Sequence, residues 1–214
     1  MVREKPYVAG KSAPSRLAVP SVVRNGSLYW SVYTDQMASY ASYHNDATNR
    51  AIHYLFVPLI VWSAMGLLIQ LGTWQVGGLA VTVAHFVVAG LLIYYLRLDL
   101  AFGIAMALLF TFLLVTALQL SDAASGSIAG LPGPGAVWFF LGVFVMSWAA
   151  QLVGHKYFEG RKPALADNLF QIFVAPIFVV AEWAFAIGLR KVLRDEVARK
   201  MQAHLPKPGA LDGL

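Results

Sequence analysis

The chain has 214 residues, 58% of them hydrophobic and only 13% charged, against about 25% charged in ordinary soluble domains. That deficit argues against a soluble globular protein and for one built in a membrane. The absence of Cys excludes a disulfide framework and a thiolate metal site. The net charge of +5 lies beside apolar runs, where Lys and Arg meet lipid headgroups rather than nucleic acid.

Residues 1–28 hold Arg, Lys, Pro and Ser without an apolar core of signal-peptide length, and read as a flexible tail. The aromatic stretch Ser27 to His44 follows. Part of it reads as an interfacial helix, with Tyr and Trp at headgroup level. From Ala51 to Leu96 there is no Asp, Glu, Lys or Arg. One span needs about 20 apolar residues, so two helices are expected, over 51–71 and 75–96, broken at GTWQVGG. Arg97 and Asp99 make a short turn before a third helix over 100–121. Asp122 to Gly135 is rich in Gly, Ser and Pro and predicts an irregular loop. A fourth helix is expected over 136–157.

A fifth apolar segment, 168–189, carries Pro176 in its middle and Glu182 beyond it. A basic amphipathic stretch follows, with Arg190, Lys191, Arg194, Arg199 and Lys200. Orientation comes from Lys and Arg in short loops. Arg50, Arg97, and the group Lys156, Arg161 and Lys162 all fall on one side, the cytoplasmic one. A full fifth crossing would put the basic stretch on the other side. A re-entrant or tilted segment broken near Pro176 is therefore preferred to a true span. The expected fold is all-α: a polytopic transmembrane bundle of four spans plus this fifth segment. The division is tail 1–28, a membrane-embedded catalytic domain 29–200 and a flexible tail 201–214.

This topology brings His44, His53 and His155 to one membrane depth. Ionisable groups within a membrane are costly and usually functional. Gln151, His155 and Glu159 recur every four residues, one stripe of a helix. Imidazole and carboxylate are ordinary ligands for a divalent metal such as iron. His44 and His53 are nine apart and would face opposite ways on a continuous helix. Between them lie Asp46, Thr48 and Asn49, all turn or cap formers, and a break there turns both rings toward one point. Each residue has an ordinary alternative. His53 suits a lipid phosphate, His155 the last carbonyls of its helix, and Glu159 a surface pair with Lys156, Arg161 or Lys162. His44 and His204 suit solvent. His85, mid-span, suits a bond to a neighbouring helix. Gln151, Asn168 and Gln171 suit inter-helix hydrogen bonds.

Two stretches carry a resemblance. In YASYHNDATNRAIHYLFVP the spacing of Tyr43, His44, Asn49, His53 and Pro58 is similar to that of the membrane-embedded 2-hydroxy fatty acid dioxygenases of fungi and bacteria. In QLVGHKYFEGRKPALADNLFQIFVAPIF so are Gly154, His155, Phe158, Glu159, Arg161, Pro163 to Leu165, and Asp167 to Leu169. The stretches cover about a quarter of the chain; the spans between match in hydropathy alone. The resemblance implies an Fe(2+)-dependent dioxygenase of fatty acid α-oxidation, taking a long-chain 2-hydroxy fatty acid and O2 to the acid one carbon shorter. It implies His44, His53 and His155 as metal ligands, with Glu159 as ligand or as support to the ligands. Asn49, Gln151, Asp167 and Asn168 are then expected to orient the ligands, and Lys156, Arg161 and Lys162 to steer the substrate carboxylate. Glu182 is a further candidate for orienting them.

Three other readings compete. A di-iron desaturase needs clustered histidine pairs, and none of the five histidines here adjoins another. A non-catalytic membrane protein or transporter would use the same polar cluster to hold helices together. A zinc-dependent membrane hydrolase would use the same imidazoles. The expected partners are the substrate, O2 and the lipid bilayer, with no nucleic acid; the oligomeric state is unknown from sequence. The membrane would be the inner one in a bacterium and the endoplasmic reticulum in a eukaryote.

Overall fold

The computed structural model describes residues 28–127 and 134–204. Helix α1 (Leu28–Ser42) leads through a short break into α2 (Ala47–Ile69). A two-stranded antiparallel hairpin follows, β1 (Thr73–Val76) and β2 (Leu79–Thr82). Then come α3 (Val83–Leu98), α4 (Leu100–Ala123) and α5 (Gly135–Gly154). A π-helical turn, His155–Glu159, and a 3-10 turn, Ala164–Ala166, lead to α6 (Gln171–Ala186) and α7 (Lys191–His204). The architecture is thus mainly helical, as its composition implies. Among the described residues three helices are long and apolar enough to cross a membrane: Ala47–Ile69, Leu100–Ala123 and, with its π-turn, Gly135–Glu159. Their flanks expose Leu55, Leu108, Phe112 and Val145, side chains suited to lipid.

The second expected span differs. Its first residues form the hairpin, and the helix begins only at Val83. The cause is local: Thr73, Val76, Val81 and Thr82 favour strand, and Gly77 and Gly78 both take positive φ, 58° and 83°, as a tight hairpin turn requires. Thr82 then caps α3, its backbone N–H donating to His85 Nδ1 at 3.1 Å. His85 is thereby a capping residue. The loop expected over 122–135 begins later, because α4 runs to Ala123; its residues 128–133 lie outside the described part.

The fifth segment is not broken at Pro176, which sits inside α6. Proline deprives the helix of one N–H, here the one that would meet the Ile172 carbonyl, yet the helix continues. The break comes instead at 187–190, where Gly188 and Arg190 take positive φ. There the chain turns through 118° into α7. Arg190 pairs with Asp99 in the α3–α4 turn, while near the other end of α6 the Tyr95 hydroxyl donates to the Phe173 carbonyl at 2.9 Å. Both ends of α6 are therefore tied to the same end of α3. α1, expected at the interface, buries Tyr33, Met37, Ala38 and Tyr40 and packs chiefly on α7 and α6. The expected tails fall mostly outside the described residues. Leu28 is already helical, and α7 continues past 200 to His204.

α2 and α5 form the most extensive helix pair, running antiparallel. Glycine permits the approach at both ends of the seam. A Cβ at Gly66 would lie 2.3 Å from the buried Phe140 ring, and one at Gly154 would lie 2.5 Å from Asn49 Oδ1. Gly66→Ala is expected to destabilise the fold by about 1–3 kcal/mol through overpacking, read as a lower melting temperature in detergent. An unchanged melting curve would mean that Phe140 is free to move.

Candidate metal centre

Asp46 ends the break after α1. Its carboxylate accepts from the N–H groups of Thr48 and Asn49, at 2.7 and 3.0 Å, a side-chain cap that starts α2 anew. That restart brings together two imidazoles that a single helix would hold apart. The ring centroids of His44 and His53 are 4.3 Å apart, and those of His155 lie 4.9 and 5.0 Å from them. All three rings are buried, and each offers a nitrogen within 4.8 Å of the others. Among the described residues no other group of His, Cys, Asp and Glu meets that geometry.

The tautomers follow from the neighbours. His44 Nδ1 is 2.7 Å from the Tyr40 carbonyl and His53 Nδ1 is 2.9 Å from the Asn49 carbonyl. A carbonyl only accepts, so each Nδ1 carries the proton and each Nε2 presents a lone pair. His44 Nε2 is buried with no partner, as is His155 Nδ1. Burial, with the His53 ring beside it, holds the His44 conjugate acid well below the ordinary imidazole range, so the ring is neutral. A neutral, oriented imidazole with an orphaned lone pair is what a divalent metal requires, and the donor set fits one. For His44 and His53 the partner of Nδ1 is a backbone carbonyl one helical turn earlier, where side chains were expected.

The other expected site residues fall around this core. Glu159 is not in the group of three. Its Oε1 accepts from the Asp46 N–H at 2.8 Å and from Asn49 Nδ2 at 3.3 Å. The π-turn carries it there: the turn closes on Gly160 at positive φ, which redirects the chain one residue past the carboxylate. Glu159 thus docks the end of α5 on the start of α2. Gln151 is buried and shares a cleft with all three imidazoles. Asp167 accepts from the Tyr43 hydroxyl at 2.7 Å and pairs with Lys162 at 2.5 Å. Both partners draw its carboxyl below the usual range, Lys162 most. Asn168 Nδ2 reaches Gln36 Oε1 at 3.5 Å. Arg161 donates to the Ser42 carbonyl at 3.0 Å and lies over the Tyr43 ring. Lys156 is exposed above the Tyr157 ring. Glu182 accepts from the Tyr54 hydroxyl at 3.0 Å. So Arg161, Lys162, Asp167 and Asn168 fasten the loop after the π-turn to α1 and the start of the break. His204 ends α7, exposed.

The imidazoles stand at the head of an apolar cleft of about 520 Å³, its open mouth included. Val57, Ile60 and Val61 of α2, Trp148 of α5, and Ile172 and Pro176 of α6 line it. Tyr40, whose ring stacks on His44 at 4.1 Å, and Gln171, buried in the cleft wall, were not singled out from sequence as site residues. Tyr40 stands four before His44, as Asn49 stands four before His53; that shared spacing is the signal for the supporting carbonyls.

Fold and site together define a mainly helical, membrane-type protein with a buried three-histidine centre at the end of an apolar cleft. The chain belongs to the Mpo1-like family, whose model, described as 2-hydroxy-palmitic acid dioxygenase Mpo1-like, matches residues 30–187. It is 31% identical over 168 residues to the 2-hydroxy-palmitic acid dioxygenase MPO1 of Saccharomyces cerevisiae, covering 78% of this chain and 88% of that protein. No solved structure matches the chain.

Proposed function

We propose that this protein is an iron(II)-dependent dioxygenase that shortens long-chain 2-hydroxy fatty acids by one carbon. One observation carries the reading: three buried imidazoles converge, two with their Nδ1 protons engaged, at the head of a cleft lined by apolar side chains. The family and the name of the yeast relative supply the substrate class. The overall change balances: one 2-hydroxy acid and one O2 give the acid one carbon shorter, CO2 and water. Four electrons leave the first two carbons and reduce O2. Bound iron would supply the one-electron chemistry that O2 demands and open positions for a hydroxy acid to chelate.

The chain's own residues do the rest. His44, His53 and His155 hold the ion, and the Tyr40 and Asn49 carbonyls fix the first two rings. Glu159 and Asn49 keep the two helix ends in register. Asp167 and Asn168 act at a distance, by holding the loop whose Pro163, Ala164 and Leu165 close the cleft. Val57, Ile60, Val61 and Ile172 receive the alkyl chain and exclude water. Lys156, exposed beside the site, attracts the anionic substrate; Arg161 and Lys162 serve chiefly the loop. The bilayer delivers the substrate.

The test is purified protein in detergent, loaded without oxygen with Fe(II) or Zn(II), then given 2-hydroxyhexadecanoate and air. The expected result is pentadecanoate with one O2 consumed per molecule, from the iron form only. Unchanged substrate from the iron form, or equal activity with zinc, would overturn the reading.

A further inference from the structure

Two carboxamides interrupt the apolar wall close to the imidazoles. Gln151, 8% exposed, stands one turn before His155, and its Nε2 has no hydrogen-bond partner. Gln171, 2% exposed, opens α6, and its Oε1 is likewise buried without a partner. Both line the cleft that holds His44, His53 and His155. A buried amide atom left unpaired forfeits the full desolvation of that group, so two in one cleft need an explanation. The set also has a sense. Gln171 Nε2 donates to Gln36 Oε1 at 2.9 Å, and Asn168 Nδ2 approaches the same oxygen. The Phe170 N–H donates to Asn168 Oδ1 at 3.0 Å, which leaves Asn168 Nδ2 to face an acceptor at Gln36 and so turns the Gln171 nitrogen toward it. The Gln171 carbonyl oxygen is thereby the atom left over. Two residues of the cleft wall thus carry one unpaired donor and one unpaired acceptor, both buried, and none of the lining residues is Lys or Arg.

That pair matches the two polar groups of a 2-hydroxy acid. A carboxylate only accepts and needs a donor; a hydroxyl has a hydrogen to give and needs an acceptor. We propose that Gln151 and Gln171 are the specificity-determining residues for the substrate's head: Gln151 Nε2 donates to a carboxylate oxygen, and Gln171 Oε1 accepts from the hydroxyl on carbon 2. The proposal rests on the function proposed above. It explains how the site tells substrate from product. A fatty acid without the hydroxyl gains nothing from Gln171 Oε1, which stays unpaired as in the free protein, so the preference is the worth of the hydrogen bond the hydroxyl makes there.

The test is anaerobic binding of 2-hydroxyhexadecanoate and hexadecanoate to metal-loaded protein, by calorimetry in detergent, with metal content checked for each variant. Wild type is expected to prefer the hydroxy acid. Gln171→Met is expected to lose about tenfold of affinity for the hydroxy acid and none for hexadecanoate, shrinking the preference by that factor. Gln151→Met is expected to weaken both ligands equally, since both carry the carboxylate. Bound metal is expected to be unchanged in each. If Gln171→Met does not fold, Gln171→Asn, which withdraws the same oxygen by one methylene, enters the same assay with the same expectation. A preference undiminished by the change at position 171 overturns this assignment while leaving the proposed function standing. A wild type with no preference for the hydroxy acid overturns both.

Discussion

Replacing any one of His44, His53 and His155 by alanine is expected to strip the metal and abolish turnover. The three nitrogens lie within 4.8 Å of one another, close enough for one ion to take all three, so each variant would remove one of three protein ligands. Loss of a supporting partner outside the ligands typically costs about 10–100-fold in metal affinity; loss of a ligand should exceed that. The measurement is metal per chain after gel filtration, by mass spectrometry, with melting curves taken with and without added Fe(II). Metal that binds the native state alone raises stability by about 2.7 kcal/mol at 100 times its dissociation constant. The wild type should show that rise and the three variants should not. His204→Ala is the control, since that residue lies outside the cluster and should leave metal content and turnover unchanged. Retention of full metal by two of the three variants would dissolve the centre as described.

Glu159 separates two roles that sequence leaves together. As a ligand it would need its charge at the metal. As found, its Oε1 accepts from the Asp46 N–H and the Asn49 amide, and on the function proposed above it would act through them. Glutamine keeps an oxygen able to do the same, so Glu159→Gln should retain metal and turnover within a few-fold. Glu159→Ala removes the acceptor. It should unpair the Asp46 N–H, loosen the start of α2 and with it the carbonyl that fixes His53, and lower metal affinity by about 10–100-fold. The ratio of the two variants decides. If glutamine is as damaging as alanine, the carboxylate charge is needed and Glu159 belongs with the ligands.

Much of this was readable from residue type and spacing. The break that turns His44 and His53 inward was visible in Asp46, Thr48 and Asn49, because helix caps are made by local chemistry. The long apolar helices were visible for a similar reason: composition over about 20 residues decides them. Other parts depend on what meets across the fold. The hairpin at 73–82 hid within an uncharged run, since hydropathy does not distinguish strand from helix; the Gly77–Gly78 pair was the only mark of its turn. Pro176 has the chemistry of a breaker, yet α6 continues through it with the ring buried, and the turn falls where Gly188 and Arg190 take left-handed conformations. Glu159 follows His155 by four residues, but the π-turn sends the carboxylate to α2. Gln171 looked like an inter-helix hydrogen-bonding residue, and half of its amide is one: the nitrogen meets Gln36. Only the buried environment singles out the oxygen.

The apolar cleft follows α2 from His53 to Val61, eight residues or about 12 Å at 1.5 Å per residue. Leu109, Phe110 and Leu113 of α4 then gather around Val57 and Val61. On the function proposed above, a stretched sixteen-carbon tail would outrun that distance, and its far methylenes would leave the protein to finish among neighbouring lipid tails. An enzyme of this shape would inspect the first part of its substrate and ignore the remainder. Acids differing by two carbons at the methyl end should therefore be processed at nearly equal rates, whereas a methyl branch next to the head should be refused.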